Sequence, residues 1–212
     1  MTVAGEAGTG PRRSILAQDR SRRTREALVD AAFALWTERG FDAGFDSTTV
    51  EEIARAAGVT KGTFYFHVAR KVDVLLEVNA VIDHAMAAEA REAVASGATI
   101  DVAVQRALAV QAERTERLPR EALAQILREY HRSPVLARER SEFRTQLPAL
   151  LEAARDDGEL PTGCDPERLA NLVAAVILSA SAAWAEGRTA RLGPELAYSA
   201  GVLFAGVRAL GA

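Results

Sequence analysis

The chain has 212 residues, 49% hydrophobic and 26% charged, with 26 Lys and Arg against 29 Asp and Glu. That composition excludes a collagen-like, disordered or disulfide-stapled chain and leaves enough length to bury one large or two small cores. The net charge of -3 counts at first against a nucleic-acid partner, since phosphate binding needs basic groups.

From the N-terminus, residues 1–21 read as a disordered basic tail. Met1 to Pro11 are rich in Gly, Ala and Thr and lack the apolar core of a signal peptide, and from Arg12 to Arg25 six arginines stand against the single acid Asp19. Such an arm suits the minor groove or a run of phosphates; a solvated tail is the plainer alternative. A first helix is predicted from Ser21 to Arg39, with Leu28, Ala31, Ala32 and Leu35 at i, i+3, i+4 and i+7 and Gly40 as its stop. Phe41 to Ser47, around which Gly-Phe-Asp occurs twice (40–42 and 44–46), reads as a connector. Two short helices follow, Thr49 to Ala56 and Thr60 to His67, around a tight turn. Longer helices are predicted over Val72 to Ser96, Thr99 to Leu118, Pro119 to His131, Pro134 to Asp156, Pro166 to Glu186 and Pro194 to Leu210. Their leading prolines fit first turns, which need no donor, while Pro148 should kink or split its helix. No segment shows the two-residue alternation of a strand, so the fold class is all-α.

Charge divides along the same line. The first 71 residues carry eleven bases against nine acids, and the remainder 15 against 20, so the acidic excess belongs to the later part. Only Lys61 and Lys71 are lysines. Cys164 stands alone, which rules out an internal disulfide and suits a reducing compartment. With no uninterrupted apolar run of about 18 residues, a cytoplasmic protein with no membrane partner is expected.

Residues 48 to 76 carry the chemistry. Thr48 with Glu51, and Thr49 with Glu52, each fit a capping box, in which hydroxyl and carboxylate satisfy the orphan donors of a helix start. Ile53 and Ala57 face the core, and Ala54 is small enough for a second helix to cross nearby. Gly58 stands where the chain must reverse through a left-handed conformation, Thr60 caps the next helix, and Phe64 fills the angle between the two. This is helix-turn-helix spacing. The outward residues of the second helix are Thr60, Lys61, Thr63, Tyr65 and His67, with Gly62 letting backbone approach phosphate; these groups suit base edges and phosphates. The alternative is a helical hairpin with an amphipathic polar face.

The run T-V-x-x-I-A-x-x-A-G-V-T-K-G-T-F-Y-x-H-x-x-x-K, Thr49 to Lys71, resembles the DNA-binding domain of the TetR family of transcriptional regulators. The resemblance covers residues 22–82 closely and the helical remainder, 83–212, more loosely. It implies a three-helix helix-turn-helix DNA-binding domain followed by a larger helical ligand-binding and dimerisation domain. It further implies a homodimer on double-stranded DNA at a near-palindromic operator, usually repressing and released by a small-molecule effector. By motif position, Thr49 and Tyr65 match phosphate contacts, Thr60, Lys61, Gly62, Thr63 and His67 the recognition helix, and Lys71 a phosphate contact at the start of the next helix. Two departures stand out. Val68 replaces the usual Phe, a smaller wedge at the junction to the next helix, and the Phe41 to Ser47 connector is about four residues longer than usual.

In the larger domain, Leu172, Val173, Val176, Ile177 and Ala180, and Val202, Leu203, Phe204 and Val207, form apolar stripes on the last two helices. The resemblance makes these the dimer interface; ordinary core is the alternative. Met86, His84, Leu127, Tyr130, His131, Phe143 and Trp184 are candidates for a ligand cavity. The acids Asp156, Asp157, Glu159, Asp165 and Glu167 read as a solvated loop and a helix start, not a metal site. Three scattered histidines, a cysteine without a base and no phosphate-cradling Gly loop assemble no nucleophile, so neither catalytic residues nor a cofactor are expected. A helical ligand-binding protein without DNA binding is the remaining rival, and the polar second helix argues against it.

Overall fold

In this computed structural model the backbone is described for residues 10–132 and 141–210, and the side chains for the same residues except 10–19 and 22. Those residues form ten helices and no strand. They fall into two units divided between Val74 and Leu75, whereas the sequence suggested a boundary at residue 82.

In the first unit, α1 is Gly10–Glu38, α2 Phe41–Ser47, α3 Val50–Ala56 and α4 Lys61–His67; α5, Lys71–Ala95, begins there. Two expectations change. Helix α1 starts at Gly10, so most of the expected tail is helical, with Arg20, Arg23 and Arg25 exposed; the side chains of Arg12 and Arg13 lie outside the described residues. The expected connector is itself a helix, which makes four short or long helices before α5 where three were anticipated. The cause is aromatic packing. Phe41 and Phe45, one turn apart, close on the fully buried Trp36 with ring centroids at 5.6 and 5.0 Å, and Phe33 joins at 5.5 Å. Gly44 lies against the same helix so closely that a Cβ there would sit 2.5 Å from Trp36 O. The repeated Gly-Phe-Asp is therefore a helix docked on α1. The buried face of α1 runs through Leu28, Ala32 and Trp36, with Ala31 and Leu35 only half-buried.

In the second unit, α6 is Ile100–Thr115, α7 Arg120–Arg132, α8 Glu142–Asp156, α9 Pro166–Ala185 and α10 Leu192–Ala209. Helix α6 packs on α10, and α9 packs on α7, α8 and α10 around a core that includes Val104, Leu108, Leu151, Val173 and Phe204. The predicted start at Pro134 lies outside the described residues. Pro148 sits inside α8 without splitting it. Carboxylates distant in sequence meet the first turns of three of these elements, complementing the positive end of each helix. Asp83 accepts from Phe143 N at 3.1 Å, Glu159 from Ile100 N at 2.7 Å and Glu116 from Leu192 N at 2.5 Å. Part of the acidic excess is thus structural. Helix α9 is long and apolar enough to cross a membrane, with mean hydropathy 1.5 over its best window, yet it is a packed helix of this unit.

Candidate nucleic-acid interface

The site is built from the end of α1 outward. At the start of α3 the two possible capping boxes separate. Thr49 forms the box: its hydroxyl accepts from Glu52 N at 3.2 Å, and Glu52 Oε2 accepts from Thr49 N at 2.8 Å. Thr48 is buried instead, its Oγ1 accepting from Arg39 Nη1 at 3.2 Å, and the same guanidinium reaches Glu52 Oε1 at 2.7 Å through Nη2. Arg39 above all, then the Thr49 amide and hydroxyl, hold the Glu52 carboxyl down to about 2.

Ala57 caps the C-terminus of α3, Gly58 takes φ +70°, and Val59 N donates back to Ala54 O at 2.9 Å. Thr60 then caps α4, accepting from Thr63 N at 3.1 Å, with the two threonine hydroxyls 2.9 Å apart. Ile53, Ala54 and Phe64 are buried at the crossing, while Ala57 is only half-buried. Val68, at 3% exposure, occupies a core position at the end of α4, so the smaller wedge stays packed.

The outer face of α4 carries Thr60, Lys61, Gly62 and Tyr65 exposed and Thr63 half-buried. Lys61 is ion-paired to Glu51, which raises the lysine pKa and lowers that of the carboxyl, and its ammonium lies 6.0 Å from the Tyr65 ring centre. Both partners are exposed, so the pair is cheaply exchanged for another anion. Gly62 has ordinary negative φ, and a Cβ there would meet only Thr60 Oγ1 at 3.7 Å. Among the described residues nothing requires a glycine at this point.

Two residues sit differently from expectation. His67 is half-buried and turned toward α1, its Nδ1 3.4 Å from Ser21 Oγ. Lys71 points its ammonium at the end of α2, donating to Phe45 O, to Thr48 O at 3.0 Å and to Asp46 O at 3.2 Å, with the Phe45 ring centre 4.8 Å away. Burial pulls its pKa below the usual lysine value against the pull of Asp46 and Glu52. Sequence reasoning missed Phe66, 83% exposed beside the half-exposed Tyr65. Its signal was present, since Phe64 and Val68 take the buried positions on either side.

A cavity opens in the second unit, about 740 Å3 including the part open to solvent. Met86, Leu127, Tyr130 and Phe143 line it, joined by Asn79, Asp83, Gln111, Arg144 and Ser181, which the sequence did not single out. The remaining candidates lie elsewhere. Trp184 is core beneath Arg120, whose guanidinium carbon is 4.6 Å from the ring centre. His131 is exposed, within 3.4 Å of Leu127 O, and His84 is bonded to Glu142 at 2.5 Å. Such polar residues were illegible because burial of a polar group depends on tertiary partners.

Residues 28–78 match the family model described as bacterial regulatory proteins, tetR family. The HTH-type transcriptional regulator AcrR of Shigella flexneri is 40% identical over 55 residues, 26% of this chain and 24% of that protein. The chain aligns with between 22% and 45% of the length of the curated relatives it matches. The likeness of structure extends further. Thermus thermophilus FadR, a TetR-family repressor solved with lauroyl-CoA, superposes with TM-score 0.68 and 27% identity over 84% of this chain and 92% of that one. SmeT, the repressor of a Stenotrophomonas maltophilia multidrug efflux pump, gives 0.61 and 25% over 86% and 89%. Its helix-turn-helix domain thus matches the tetR family of bacterial regulatory proteins, and its architecture is similar over most of its length to that of TetR-family repressors.

Proposed function

We propose that this chain is a sequence-specific DNA-binding transcriptional repressor, released from its operator by a small molecule held in the second unit. The observation that carries the first half is Gly62. A glycine in the first turn of an exposed helix costs up to about 1 kcal/mol relative to Ala, and no contact among the described residues offsets it. Close approach of an outside backbone does. Around it, Thr60, Lys61, Thr63 and Tyr65 offer donors and acceptors suited to a major groove, with Thr49 and Phe66 at its edge. Lys61 gives up Glu51 for a phosphate at little cost.

A homodimer through α9 and α10 is part of the reading. Leu172, Leu178, Tyr198 and Val202 are exposed there while Val173, Ala180, Phe204 and Val207 form core, and only a third of the apolar window of α9 is buried in its own unit. A second copy covers such a face by two-fold symmetry and sets two recognition helices one turn of DNA apart. The cavity supports the effector half: its apolar wall with a few polar groups fits a small ligand. Effector binding then favours a dimer whose recognition helices no longer match successive grooves, with coupling of about 1–3 kcal/mol. A salt-dependent gel shift on the DNA upstream of the chain's own gene tests the reading: a discrete shift weakening with salt supports it, and equal binding to any duplex contradicts it.

A further inference from the structure

The cavity holds two polar groups without partners. Ser181 is 2% exposed and its Oγ has no hydrogen-bond partner; the Nε of Arg144 is buried and equally unpartnered. A buried donor left unmade costs about 1–3 kcal/mol, more when charged, so both mark places where a ligand can contribute. Among the described residues the one side-chain hydrogen bond of Arg144 runs from Nη2 to the neutral amide oxygen of Asn171 at 3.2 Å. Asp83, the one carboxylate in the described lining, is already engaged: Oδ1 accepts from Ser141 Oγ at 2.6 Å and Oδ2 from Phe143 N at 3.1 Å. Burial also pushes its pKa up, which softens repulsion of an incoming anion.

The two orphans are far apart. Asn171, which tethers the Arg144 guanidinium, and Ser181 are ten residues apart on α9, and at 1.5 Å per residue this separates the two positions by about 15 Å along the helix. Between them the wall is apolar: Ala174, Ile177, Met86, Leu123, Ile126 and Leu147.

We infer that the effector is an elongated carboxylic acid, its carboxylate meeting Arg144, its apolar chain lying along α9 and a hydroxyl at its far end pairing with Ser181. This rests on the reading of the cavity as the effector site. Arg over an apolar slot selects an anion, and a lone serine at the other end selects a second hydrogen-bonding group.

Isothermal titration of the full chain at neutral pH with decanol, decanoate and 10-hydroxydecanoate tests it. Affinity is expected to rise in that order, about tenfold or more for the carboxylate and severalfold for the hydroxyl. Arg144→Gln should bring decanoate down to decanol, and Ser181→Ala should bring the hydroxy acid down to decanoate, with unliganded melting confirming that each variant folds. Decanol binding as well as decanoate overturns the inference whatever the variants do, and so does the absence of binding by all three. The effector-site reading is judged separately, by whether filling the cavity with Ala174→Trp changes operator affinity.

Discussion

The ammonium of Lys71 is held 3.0 Å from the carbonyl oxygen of Thr48, where α2 ends and α3 begins. With Phe45 O and Asp46 O also on Nζ, the lysine gathers carbonyls that a helix end leaves without partners. Thr48 is followed at once by the Thr49 capping box, so Lys71 fixes the entry to the helix-turn-helix. Its place in the sequence motif matches a phosphate contact, and its place in the structure is that of a clamp.

Lys71→Ala should therefore lower stability as well as DNA affinity. The ammonium is only partly buried, so we expect a loss of about 1 kcal/mol, at the low end for a charged donor. Thermal melting of the free chain checks it. A variant that melts like the parent and merely flattens the salt dependence of binding would return Lys71 to a purely phosphate role.

Gly44→Ala should destabilise the first unit by about 1–3 kcal/mol, because the new methyl lands 2.5 Å from Trp36 O and backbone must move. Trp36 reports the change when Trp184 is replaced by Phe, leaving one indole. An unaltered unfolding midpoint would show that α2 does not dock as described.

Acid should loosen the same region. The Glu52 carboxyl is held to about 2 from an ordinary 4.5 by Arg39 and Thr49, so its contribution is complete above about pH 4.5 and is lost as pH falls toward 2. Glu52→Gln, compared with the parent by acid titration of Trp36 fluorescence, should show a shallower loss over that window. Identical curves would remove Glu52 from the account.

Thr63→Ala should alter base preference at one or two operator positions by about 1 kcal/mol or more while leaving nonspecific binding intact. Selection from a randomised duplex library reads this directly, and an unchanged consensus excludes Thr63 from base contact.

The sequence made most of the helix-turn-helix legible because its signals are local: a cap at Thr49 and another at Thr60, Gly58 at the reversal, Phe64 in the angle. It could not choose between Thr48 and Thr49 as cap, since that depends on Arg39 reaching over from the end of α1. Helix α2 escaped notice because Gly40 at its start and Gly44 in its middle argue against a helix, and only the Trp36 surface overrides them. Arg144 and Ser181 were invisible for the same reason at longer range: nothing in their neighbours tells that a hydrogen bond is missing. The apolar stripes of α9 and α10 were visible, but their division into core and exposed face was not.

The central claim is that α4 is shaped for an outside backbone, and Gly62→Ala tests it most directly when melting temperature and operator affinity are measured on one preparation. The new methyl has room, so folding stability should hold or rise by up to about 1 kcal/mol. Operator affinity should fall tenfold or more; a folded variant that binds its operator as tightly as the parent would contradict the account.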